Sequence, residues 1–233
     1  MDSTYNSMQL MSEIQGQATY KYVNNENYYY INVGGSNAKD LIWGIGLDEL
    51  AGYGEVAFQV EIADSSNLGV RLIKPIAYNA NDSWSQRDDA LMNKVKFYGF
   101  KNLKNEAKTD SLVGLEIYNT DGTILYTTKR KTLNVIYPYM PKSISTDGSS
   151  TSFEQVTNSP TITWNKKGIF IPTGSYFLID RDVMCSIRTI GVNVTDKNTK
   201  LYVGYMACTS RHRRPTSHST LLSNAVGGIF GEV

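Results

Sequence analysis

Side chains able to do chemistry are few in this chain, and their spacing is poor for catalysis. Both histidines, His212 and His218, lie in a Ser/Thr-rich stretch near the C-terminus. Cys208 and His212 could serve as nucleophile and base, but such a base has to be held and oriented by a third group. The segment between them reads as a strand end running into a tail, which supplies no such support. Asp180 and Asp182 share one side of an extended segment, as paired carboxylates that bind a cation or cleave a glycoside would. With Arg181 between them and an apolar strand following, they read as a solvated turn. Gly34-Gly35-Ser36-Asn37 lacks the Lys-Ser/Thr of a phosphate loop and does not open a helix. The expectation is a non-enzymatic chain with no cofactor and no metal.

Binding is the stronger class. Aromatic rings stack on sugars or anchor protein interfaces. The candidates are Trp84 in an Asn/Asp/Ser-rich loop, Trp164 beside the Asn165-Lys166-Lys167 turn, and Tyr28 with Tyr30, which share one face of a strand. Burial is the commoner fate of large aromatics and competes at each position. A second candidate is the C-terminal segment. There Arg211, Arg213 and Arg214 precede an apolar tail with Leu221, Leu222, Ile229 and Phe230. It reads either as a frayed terminus or as an arm whose arginines meet a partner's carboxylates while its apolar residues fill grooves.

The elements that must position these residues are strands. Val56, Phe58, Val60 and Ile62 alternate with Ala57, Gln59 and Glu61, the pattern of a sheet wet on one side. Tyr28 to Ile31 is a second β-rich run, and Leu41 to Leu47, broken by Gly44 and Gly46, suits a bent strand. Gly114 to Asn119, Asp121-Gly122 and Thr123 to Thr128 read as a hairpin, and the surrounding stretch from Leu112 to Met140 as the centre of the fold. Ile187 to Val194 and Leu201 to Ala207 form another hairpin around Asp196-Lys197-Asn198. The parity change between Cys185 and Ile190 predicts a bulge near Thr189. With Val194 opposite Leu201, Cys185 and Cys208 would sit diagonally, close enough to permit a disulfide without requiring one, and in a cytoplasm buried free thiols are the favoured reading.

The fold class is therefore all-β. We expect antiparallel β-sandwich modules of jelly-roll or immunoglobulin-like kind, two of them, with extended terminal arms. The charged, Asn-containing stretch 101–110 is the best boundary. It divides an N-terminal arm (1–19), where a short helix around Leu10 and Ile14 is the alternative, and a first module (20–110) from a second module (111–210) and a C-terminal arm (211–233).

At 233 residues there is ample chain for a core, and the 41% hydrophobic content is that of a globular protein. Only 19% of residues are charged, while 16 tyrosines are used, as exposed sheets and turn-rich loops require. A net charge of +1 creates no field to attract nucleic acid, and no apolar run approaches the ~20 residues of a membrane helix. Met1 to Gln17 lacks the pattern of a secretory signal, which predicts maturation in a cytoplasm.

Gly114-Leu115-Glu116-Ile117-Tyr118-Asn119 with Asp121-Gly122 resembles the G-L-E-V-Y-N-x-x-G opening of small all-β tail proteins of bacteriophages and prophages. In those proteins the motif looks like the first strand and hairpin of a β-sandwich module; here it begins in mid-chain. The resemblance implies a virion structural protein of the tail or tail tip, assembled in the host bacterial cytoplasm. Its partners would be other tail proteins in a homo- or hetero-oligomer. The alternative is a carbohydrate-binding module that recognises a host-surface glycan, and a polysaccharide hydrolase is a more distant competitor.

Overall fold

The structure is a computed structural model. It describes residues 8–16, 18–23, 26–74, 87–102, 115–118, 120, 122, 124–127, 130–139, 152–155, 159–173, 176–180, 184–208 and 227–233. Among these the strands are β1 (Met8–Gln15), β2 (Thr19–Val23), β3 (Glu26–Asn32), β4 (Ile42–Gly46), β5 (Glu55–Ile62), β6 (Asn67–Ile73), β7 (Lys96–Asn102), β8 (Glu116–Tyr118) and β9 (Ile124–Thr127). They continue with β10 (Asn134–Tyr139), β11 (Ser152–Gln155), β12 (Ile162–Thr163), β13 (Gly168–Pro172), β14 (Tyr176–Asp180), β15 (Met184–Thr195), β16 (Asn198–Cys208) and β17 (Gly228–Glu232). An α-helical turn, α1 (Asp89–Met92), begins where Asp88 accepts a hydrogen bond from the Leu91 N–H.

The protein is an all-β sandwich of two packed antiparallel sheets. One has six strands in the order β1-β7-β4-β13-β17-β10. The other has nine, with the path β11-β16-β15-β5-β6-β3-β2, β12 on β16 and β14 on β15. Period-two alternation decides which residues meet between them. Tyr29, Ile31, Val56, Phe58, Val70, Leu72, Ile190, Val192 and Leu201 from the nine-stranded sheet face Trp43, Ile45, Phe97, Phe170 and Phe230 from the other.

The six-stranded sheet is drawn round on itself. Gln9 of β1 bridges Thr132, the Leu10 N–H donates to the Lys131 carbonyl at 2.8 Å, and the Leu133 N–H donates to the Met8 carbonyl at 2.9 Å. From there the chain runs directly into β10, which pairs with β17 at the opposite rim. The face turned away from the sandwich thus encloses a second core of Tyr98, Phe100, Leu133, Ile169 and Ile171. Gly44 and Gly231 leave room for it. A Cβ on Gly44 would come within 2.7 Å of Ile169, and one on Gly231 within 2.6 Å of Leu133.

Several expectations need correction. The division near residue 110 does not separate two modules, because β4 pairs with β13 and β5 with β15, so residues from both sides of it build both sheets and one core. The first residues are neither a helix nor an arm where described, since β1 pairs with β7 from Met8 to Gln15. At the other end, β17 lies between β13 and β10. The hairpin of β8 and β9 is present, with Gly122 at φ +80° in its turn, yet it forms a separate two-stranded sheet instead of the centre of the fold. Residues 152–155, expected in a long loop, form β11. The bulge near Thr189 is absent: β15 and β16 pair without a shift from Thr195↔Asn198 to Cys185↔Cys208. Val192, not Val194, lies opposite Leu201, and the two cysteines are direct cross-strand partners.

Candidate functional site

The pleat of β3 sends Tyr29 and Ile31 into the core and Tyr28 and Tyr30 to the opposite face, as their spacing predicts. The register then determines their neighbours. Lys21 of β2 lies opposite Tyr28, Gly69 of β6 opposite Tyr30, and Gln59 and Glu61 of β5 opposite Arg71 and Gly69. The result is a patch on the outer face of the nine-stranded sheet.

Arg71 organises this patch. Its guanidinium carbon lies 4.0 Å from the Tyr28 ring centroid, and the group donates to the Tyr28 hydroxyl. It also donates to Gln59 Oε1 at 2.6 Å and lies 3.6 Å from the Glu61 carboxylate. Tyr28 is only 8% exposed beneath it, so this ring packs against Arg71 and offers little face to a ligand. Tyr30 is half-buried, meets Tyr28 edge-on at 6.4 Å and has the Lys21 ammonium 4.9 Å from its centroid. Burial, then the negative charges of Glu61 and Asp64, push its phenol above the ordinary value. At neutral pH it is a hydrogen-bond donor rather than a base. Arranged this way, the patch can stack and hydrogen-bond a polar ligand, with Tyr30, Lys21 and Glu61 at its surface.

Trp164 is placed differently. It is fully buried, its indole N–H donates to Asp48 Oδ1 at 2.6 Å, and it lies so close over Gly168 that a Cβ there would meet the ring at 2.5 Å. That makes Trp164 a pin of the core and corrects its assignment to ligand binding. Phe230 and Ile229 are likewise used within this chain. Phe230 is fully buried with its ring centroid 4.6 Å from that of Phe170, and Ile229 packs against the second core. Trp84, Arg211, Arg213, Arg214, Leu221, Leu222, His212 and His218 lie outside the described residues.

A polar cluster gives no sign of itself in the sequence because its members are far apart along the chain. Lys96 Nζ lies 3.7 Å from Glu13 and 3.5 Å from Glu49, while Lys167 Nζ lies 2.9 Å from Glu13. The hydrogen bond from Lys167 holds the Glu13 carboxyl below the usual range, against the effect of burial. Tyr98, opposite Glu13 on β7, is pushed upward by burial and then by Glu49, Glu13 and Asp48. Pairing of β1 with β7, of β7 with β4 and of β4 with β13 is what brings these groups together. Among the described residues no group of three or more His, Cys, Asp or Glu is arranged to hold a metal ion. No family model, curated protein or solved structure matches the chain.

Proposed function

We propose that this chain is a non-enzymatic structural protein of a bacteriophage tail or tail tip, assembled in the bacterial cytoplasm and joined to neighbouring tail proteins by protein–protein contacts. The observation that carries this reading is the placement of the hairpin holding the Gly-Leu-Glu-Ile-Tyr-Asn segment. Among the described residues it forms a two-stranded sheet of its own, with Leu115 61% exposed at its start. A two-stranded hairpin is marginally stable alone and gains from packing against another surface. Ile42 and Val135, each 51% exposed, add apolar area elsewhere on the molecule. Mass spectrometry of purified particles tests the proposal: the protein is expected among the virion components. Its presence only in free lysate sinks the idea. Leu115→Asp is expected to reduce incorporation while leaving the melting temperature unchanged.

A second reading, recognition of a host-surface glycan, is favoured by the half-buried Tyr30 flanked by Lys21 and Glu61. A glycan-array signal lost in Tyr30→Ala would support it, and no binding to any glycan would favour the structural role.

A further inference from the structure

We propose that Cys185 and Cys208 are a disulfide-forming pair that staples β15 to β16 at the end of the β15–β16 hairpin remote from its turn. The ladder carries the inference. From Thr195↔Asn198 beside the turn to Cys185↔Cys208 it runs through eleven consecutive pairs with no shift. Asp196, at φ 54°, makes the turn tight enough to set that register. Other strands hold β15 on its second side. β5 pairs with residues 191–193, and β14 pairs along its first five residues, with Ile179 opposite Cys185. A slip of β15 that separated the cysteines would break its ladders with β16, β5 and β14 at once.

Directly opposed residues of antiparallel strands have Cα atoms about 4.5–5.5 Å apart, within the range of about 4.4–6.8 Å that a disulfide spans. The register makes Cys185 and Cys208 direct cross-strand partners, and side chains of such partners project to the same side of a sheet.

The chemistry is thiol–disulfide exchange with a small-molecule disulfide. One cysteine thiolate attacks glutathione disulfide, forming a mixed disulfide and expelling one glutathione thiolate. The second cysteine thiolate then attacks the protein sulfur of the mixed disulfide and expels the other glutathione. Two protein thiols are oxidised by two electrons, one glutathione disulfide is reduced to two thiols, and the protons lost by the cysteines end on the glutathione. The staple thus forms when the protein meets an oxidising solution and opens on return to excess thiol. It does not depend on the virion reading.

The test uses the full, folded chain incubated with glutathione disulfide, quenched with acid, denatured and alkylated with iodoacetamide. The expected result is loss of both alkylation sites, a mass lower by two hydrogens than the reduced protein, and a linked peptide pair containing Cys185 and Cys208. Cys185→Ser and Cys208→Ser are each expected to accumulate one glutathione adduct instead, because the resolving thiol is gone. The wild-type result stands independently if either variant fails to fold. Two alkylatable thiols, two separate glutathione adducts, or linkage only between molecules would each overturn the proposal.

Discussion

Replacing Phe230 by Ala asks whether the end of this chain belongs to its own core or reaches for a partner. The side chain is fully buried and its ring lies nearly parallel to that of Phe170, at an interplanar angle of 24°. Returning a buried Phe side chain to water costs about 1.5–3 kcal/mol. The cavity left between the two sheets and the lost ring pair bring the total to about 3–5 kcal/mol. For a domain of this size that corresponds to a fall of about 6–20 °C in melting temperature. Urea unfolding of the isolated protein, followed by tryptophan fluorescence, is the direct assay. Its midpoint should fall with the slope unchanged, because the native fold is retained and only its stability changes. A segment that ordered only on a neighbouring subunit would leave the isolated chain indifferent to the substitution. A measured loss below about 1 kcal/mol would therefore refute the packing of β17 described here.

Two further substitutions probe the same region. Gly168→Ala forces a methyl group against the rigid Trp164 indole and is expected to cost about 1–3 kcal/mol in the same unfolding assay; an unchanged midpoint would mean that the indole does not lie over this backbone. The Glu232 carboxylate accepts hydrogen bonds from the Asn165 and Lys166 N–H groups, in that order of effect, which holds its pKa below the ordinary carboxylate value. A depressed folded-state pKa contributes stability that is present above the unfolded value near 4.5 and is lost as pH falls through the folded one. Glu232→Gln is thus expected to cost about 1–2 kcal/mol at pH 7 and progressively less toward pH 3. Melting curves of the two proteins that stay parallel across that range would contradict this account.

What could be read from the residues was local. The alternation in β5 places Val56 and Phe58 in the core and fades toward Ile62, which is 40% exposed at the strand end. The β8–β9 and β15–β16 hairpins follow from turn residues flanked by β-rich runs. Tyr28 and Tyr30 share a face because side chains alternate, but the guanidinium that covers Tyr28 comes from another strand, and its position depends on how β6 pairs. Trp164 beside a basic turn and Phe230 after a Ser/Thr-rich stretch looked like anchors for another molecule. An apolar side chain has the same signature whether the groove that receives it belongs to its own chain or to a partner. The pairing of β4 with β13 and of β5 with β15 joins distant segments, so the stretch 101–110 looked like a linker between modules while strands on either side of it completed the same sheets.

The arrangement of the six-stranded sheet bears on how the polypeptide is made. Its strands include Met8–Gln15 and Gly228–Glu232, and the latter lies between β10 and β13 and pairs with both. On the ribosome, early segments emerge long before that bridging strand exists, and the backbone groups it will satisfy wait unpaired in the nascent chain. This layer can close only after translation has delivered β17, more than two hundred residues after β1, which puts its assembly among the slow, long-range events of folding.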